Sequence, residues 1–239
     1  SDTHCIGFKP HHSQIHAENS ITKHLACIVD DGEKHMQVIC SQALPFSPAI
    51  PHGCKLKQVT LEFMKSCGSD NFSSSDVCKA YIYVDGGFGK SDLMYPATWA
   101  LVVVLEDRIG NQALVASQSG AYTDDPSTTV SLGQTTMSSF TSEVYAQVMA
   151  RLFVLHHHHD LFQNVDSVCI VFDSTSAARS TETHSRVPKE LDLSSFASVL
   201  DLACLRVGKS INTQHVHSHS LHPWNEAVDS LCIYSMSHF

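Results

Sequence analysis

The sequence predicts a mixed α/β layer fold over its last two thirds, and three observations carry that reading. Three strand-like runs follow one another between residues 80 and 122. After residue 138, apolar residues recur at helical spacing. A short, continuous apolar run, Ser167–Phe172, then stands between helical stretches.

The elements follow in order. Ala80–Val84 is β-branched and aromatic and ends at Asp85-Gly86-Gly87. Thr98–Glu106 is strongly apolar, and Asp107–Asn111 supplies a turn. Gln112–Tyr122 alternates loosely and completes an antiparallel meander. Ser138–Ser142 is rich in N-cap residues and opens a helix to about Leu155, with Phe140, Val144, Val148, Leu152 and Leu155 on one face. Ser167–Phe172, ending at Asp173, reads as a strand buried on both faces. Ser174–Arg179 starts a short helix. Leu193, Phe196, Leu200, Ala203 and Val207 mark a helix within Lys189–Val207. Asn212–Ser218 reads as a strand, and Pro223 to about Met236 as a helix with proline in its first turn. The predicted order is β-β-β-α-β-α-α-β-α.

The N-terminal third is set off by a Ser/Asp/Gly-rich break at Gly68–Asp76. Ahead of it, His24–Val29 and His35–Ala43 are β-prone runs around an Asp31-Gly32 turn. Pro45, Pro48 and Pro51 interrupt regular structure, and Lys57–Phe63 reads as one more strand. Residues 1–76 are therefore expected to form a small β-containing extension, and residues 77–239 the main domain.

Composition excludes several classes. A 43% hydrophobic fraction in 239 residues excludes a disordered chain, and no apolar run is long enough for a transmembrane helix. No signal peptide is visible, and the absence of a starting Met leads us to expect a piece of a longer chain, with an intracellular location. The net charge of −9 argues against gripping nucleic acid by bulk charge alone, but not against an enzyme whose acids are occupied by metal. The nine cysteines form no CxxC pair, so free thiols in a reducing compartment are expected rather than a zinc site.

Three landmarks carry an acid where chemistry would be displayed. Asp85 ends the first strand, Glu143 opens the first long helix, and Asp173 ends the central strand. Asp229 lies inside the last helix, ten residues after His219. Singly, each has an ordinary explanation: Asp85 in a turn, Glu143 as a first-turn helix acid, Asp173 as a helix N-cap. Converging, they would need cations, and hard oxygen ligands suit Mg²⁺ or Mn²⁺.

Spacing alone does not make these acids meet. The strings Tyr81-Ile82-Tyr83-Val84-Asp85-Gly86, Ser142-Glu143-Val144-Tyr145-Ala146 and Val171-Phe172-Asp173-Ser174, followed by His219-x-x-His222-Pro223-x-Asn225-Glu226-x-x-Asp229, together resemble a type 1 ribonuclease H. The resemblance covers roughly residues 79–239. The pattern around Glu143 is similar to the ribonuclease H domain of retroelement (retrotransposon) reverse transcriptases. It implies a ribonuclease H-like fold, a mixed five-stranded sheet flanked by helices. It also implies an endonuclease that hydrolyses the RNA strand of RNA–DNA hybrids with two Mg²⁺ ions, Mn²⁺ being the alternative. Asp85, Glu143, Asp173 and Asp229 match the metal-binding carboxylates, and His219 matches a mobile histidine assisting proton movement or product departure. Asn225 and Glu226 match the part of the motif that positions the last acid. The expected partners are a hybrid duplex and other domains of a larger polyprotein, with no membrane.

Some features depart from the family. It often has Asp-Gly-Ser where this chain has Asp85-Gly86-Gly87, and no basic, Trp-containing protrusion is obvious between Arg179 and Lys189. The alternative is a non-catalytic ribonuclease H-like scaffold or hybrid-binding module of a larger assembly. His215, His217 and His222 are rivals to His219. His156–His159 reads as a solvated helix end rather than a metal tag. Trp99 is expected in the core, and Trp224 partly exposed.

Overall fold

A computed structural model of the chain describes residues 46–67, 72–89, 95–125, 132, 134, 136–181, 191–217 and 222–238. Five strands, β1 (Val77–Phe88), β2 (Ala97–Asp107), β3 (Gln112–Ala121), β4 (Ser167–Phe172) and β5 (Ser210–His215), form one mixed sheet in the order β3-β2-β1-β4-β5. The β1–β2 and β2–β3 pairs are antiparallel, and β1–β4 and β4–β5 are parallel. The helices are α1 (Gln58–Ser66), α2 (Ser139–His156), α3 (Thr175–Thr181), α4 (Leu191–Arg206) and α5 (Pro223–His238).

Strand parity divides the core into two layers. Ile82 and Val84 of β1, Trp99, Leu101 and Val103 of β2, and Val168 and Ile170 of β4 face α2, α3 and α4. Tyr83, Ala100, Val102, Val104 and Val171 face the other way, against Trp224, Val228 and Leu231 of α5. Both faces are covered, which is why β2 and β4 read as continuous apolar runs rather than alternating ones. Ser138 caps α2 by accepting a hydrogen bond from Thr141 N at 3.0 Å. Such a cap contributes about 1 kcal/mol and fixes where the helix begins.

The meander, the order of the later elements and the placement of Trp99 follow the sequence reading. Strand β1 runs on through Gly86 and Gly87 to Phe88, so Asp85 lies inside it rather than at its end.

Three expectations are corrected. Lys57–Phe63 is not a strand, because Gln58–Ser66 is helical. Phe63, Met64 and Cys67 meet the α5 layer and Thr60 is buried, while β-branched Val59 is exposed. Trp224 is not partly exposed: it is 1% accessible, covered by the Phe63 ring edge at 5.5 Å, with its indole N–H donating to Gln112 Oε1 at 2.9 Å. The covering element was the one misread as a strand. The His156–His159 run is not a solvated face throughout. His157 packs on Phe46 and Phe153, and His158 is buried with Nδ1 2.7 Å from Leu155 O, leaving His159 exposed.

The strand readings at His24–Val29 and His35–Ala43 lie outside the described residues. Cys54, Cys67, Cys78, Cys169, Cys204 and Cys232 are free thiols. Among the described residues, no helix is long and apolar enough to cross a membrane.

Candidate functional site

The parallel pairing of β1 and β4 builds the floor of the site. Tyr83 pairs with Val171, and two residues further on come Asp85, inside β1, and Asp173, directly after β4. Two residues is one pleat repeat, so the Asp85 carboxylate leaves the sheet on the face that α5 covers, and Asp173 lines the same cleft. Glu143 arrives from the opposite face, in the second turn of α2. Gly86 permits this approach, since a Cβ there would collide with the backbone of Ser142 and Glu143. The glycine is required by contact, not by a left-handed backbone.

Asp85, Glu143 and Asp173 each offer a carboxylate oxygen within 4.8 Å of the others. Asp229 is not in that group. It lines the same cleft, one helical turn beyond Asn225 and Glu226 on α5. The cleft encloses about 440 Å³, and Phe88, Ile233 and Met236 give it one apolar side.

Electrostatics mark the cluster as expensive when metal-free. Burial pushes the Asp85 carboxyl up to about 7, with the charges of Asp229 and Asp173 adding to the shift. Burial likewise drives Glu143 well above the ordinary carboxylate range, reinforced by Asp85 and Asp173 and by a hydrogen bond to Asp85. Glu143 is 9% accessible, and its Oε2 is buried without a hydrogen-bond partner. Asn225 donates from Nδ2 to Asp173 Oδ2 at 3.4 Å, while its own buried Oδ1 has no partner. Buried polar atoms are ordinarily satisfied, so the orphaned Oε2 of Glu143, within a cluster of three acids, fits a divalent cation's demand for oxygen ligands.

His219 lies outside the described residues. Of its rivals, His215 places Nε2 3.2 Å from Asp173 O, and His217 packs its ring on His215 at 5.2 Å. His222 turns away from the acids and packs on Tyr83 at 5.2 Å, in a separate cavity that also includes Phe63 and Trp224.

The sequence reading did not find Lys57, which forms an ion pair with Glu226 on the rim of the cleft. Only the helical spacing of residues 60–67 could have signalled that this segment returns to α5.

No family model and no curated protein matches the chain. Among solved structures, it is similar to a ribonuclease H1 from Halobacterium salinarum NRC-1, at 16% identity, covering 66% of this chain and 97% of that one, with a TM-score of 0.44. It is similar to the N-terminal ribonuclease H domain of a Mycobacterium tuberculosis protein, at 16% identity, covering 66% and 93%, with a TM-score of 0.45. It is also similar to the prototype foamy virus protease–reverse transcriptase, at 14% identity and a TM-score of 0.43, covering 69% of this chain and 21% of that one. The mixed five-stranded sheet with helices on both faces is the architecture that the sequence resemblance implied. The chemistry must be argued from the site.

Proposed function

We propose that this chain is a divalent-cation-dependent ribonuclease H that hydrolyses the RNA strand of RNA–DNA hybrids. One observation supports this most: three carboxylates from β1, α2 and the end of β4 lie within 4.8 Å of one another, with a buried, unpartnered oxygen on Glu143. Asp85, Glu143 and Asp173 would hold the cation, with Asp229 contributing from the same cleft; Mg²⁺ is the favoured ion and Mn²⁺ the alternative. A bound cation would supply water activation and stabilisation of the leaving oxygen.

The chain's own groups do the rest. Asp85 is held within the paired strand β1, and Asp173 directly follows the paired strand β4. Asn225 orients the Asp173 carboxylate through its Nδ2 hydrogen bond. Glu143 sits at the α2 edge of the cleft, where it can also meet a ribose hydroxyl. His219 is assigned a proton-handling role from the motif alone. Hybrid selection through 2′-hydroxyls and groove shape requires little base readout, so sequence preference should be weak. The motif around Glu143 further supports placement as one domain of a retroelement reverse transcriptase polyprotein, with residues 1–76 as an appended extension.

The net charge of −9 favours a second reading, a hybrid-binding scaffold without catalysis. Incubation with labelled RNA–DNA hybrid separates the two: Mg²⁺-dependent cleavage supports the enzyme, and binding without cleavage supports the scaffold.

A further inference from the structure

Residues 46–67 run as a strap from the β3 edge of the sheet to α5. Ser47 pairs with Ser117 on β3 through backbone hydrogen bonds of 2.8 and 2.6 Å, and Ala49 O accepts from Ser117 Oγ at 2.8 Å. Gly53 lies against the Tyr234 ring, so closely that a Cβ would collide with it. Phe63 covers Trp224. Between these contacts, Lys57 meets Glu226 in an ion pair whose acid is largely buried, with side-chain accessibility of 10% against 52% for the lysine.

Glu226 belongs to the same cleft as Asp85, Glu143, Asp173 and Asp229, and sits one turn before Asp229 on α5. The cleft thus holds five carboxylates. A fifth, unrestrained acid beside the cluster would compete for any cation held by the other four. Its charge would also raise the pull on cations at positions unsuited to the strand-end carboxylates.

We propose that Lys57 is a positioning residue of the acid cleft: it holds Glu226 aside as an ion pair, so that the cation is shared by Asp85, Glu143, Asp173 and Asp229 alone. The role rests on the metal-binding reading above and deepens it. It places a function of the cleft in the extension, on a segment that the catalytic motifs do not include.

The test is calorimetric titration of the full chain with Mn²⁺, without nucleic acid, beside thermal unfolding. The proteins are wild type, Lys57→Met, Glu226→Gln and the double variant. Leaving Glu226 uncompensated adds a unit of negative charge to the lining of the cleft, which should change its affinity for a dication about tenfold. Lys57→Met should therefore bind Mn²⁺ about tenfold more tightly or take up an additional ion, and the double variant should return to wild-type stoichiometry and affinity.

An unchanged Mn²⁺ isotherm for Lys57→Met, with only a lowered melting temperature, would reduce Lys57 to a structural contact and overturn the inference alone. An equal effect of Lys57→Met with and without Glu226 would show general charge rather than this pair, and would also overturn it. Wild-type protein that binds no Mn²⁺ would overturn the metal reading, and the inference with it.

Discussion

Asp85 and Asp173 each come two residues after the Tyr83–Val171 pair of the neighbouring parallel strands, Asp85 inside β1 and Asp173 directly after β4. The parallel pairing of β1 and β4 therefore brings the two carboxylates to one place on the sheet. Asp173→Asn and Asp85→Asn should each abolish hybrid cleavage while leaving far-ultraviolet circular dichroism unchanged, because each swap is nearly isosteric. Near-normal Mg²⁺-dependent cleavage by either purified variant would remove that residue from the metal set.

The metal-free protein should lose stability as pH rises. Asp85 is raised to about 7 in the folded chain, against about 3.9 for an unfolded aspartate, and Glu143 is raised in the same direction. Between those values the folded state binds more protons than the unfolded one, so stability is fully present below about pH 4 and declines towards pH 7. In EDTA the melting temperature should fall across that window, and Mg²⁺ should restore it most at the upper end. Asp85→Asn should flatten the EDTA profile. A wild-type profile in EDTA that rises over the same interval contradicts the arrangement.

Gly86→Ala should damage the site more than its size suggests. The added methyl meets backbone atoms of Ser142 and Glu143, which cannot rotate away, so α2 must shift. Overpacking of this kind costs about 1–3 kcal/mol. Cleavage should fall by far more than the stability loss explains, because Glu143 moves with its helix. Full activity in a destabilised Gly86→Ala protein would mean that the position of Glu143 is not critical.

Much of this was legible in the sequence. Apolar runs and helix spacing located the sheet and its helices, and four motifs in order nominated Asp85, Glu143, Asp173 and Asp229, the first three of which cluster in the structure. The interior position of Asp85 was less legible, since a Gly-Gly pair reads as a turn unless a packed helix demands small residues there. The burial of Trp224 and the Lys57–Glu226 pair were not legible. Both depend on α1 folding back on a helix more than 150 residues away in sequence, and its β-branched Val59 and Thr60 masked the helical spacing. Phe63→Ala should accordingly lower stability by about 2 kcal/mol through exposure of Trp224, with a red shift in tryptophan emission as the check.

His219→Ala should slow turnover less than loss of a carboxylate, since proton transfer by a side chain contributes typically about 10²–10⁴-fold. The defect should be larger in multiple-turnover than in single-turnover assays. Greater damage from His217→Ala or His222→Ala would reassign the role. His222 makes a sharp control because it packs on Tyr83, away from the acids.

The central claim, that the clustered carboxylates make this fold a ribonuclease H, is tested most directly by one cleavage assay. The full chain is incubated with end-labelled RNA–DNA hybrid, RNA–RNA and DNA–DNA duplexes, in Mg²⁺ and in EDTA, with Asp173→Asn protein as the contamination control. The account predicts internal cleavage of the RNA strand of the hybrid alone, only with Mg²⁺, and absent from the Asp173→Asn protein. Hybrid left intact in Mg²⁺ by folded wild-type protein, or cut equally by the Asp173→Asn protein, would contradict it.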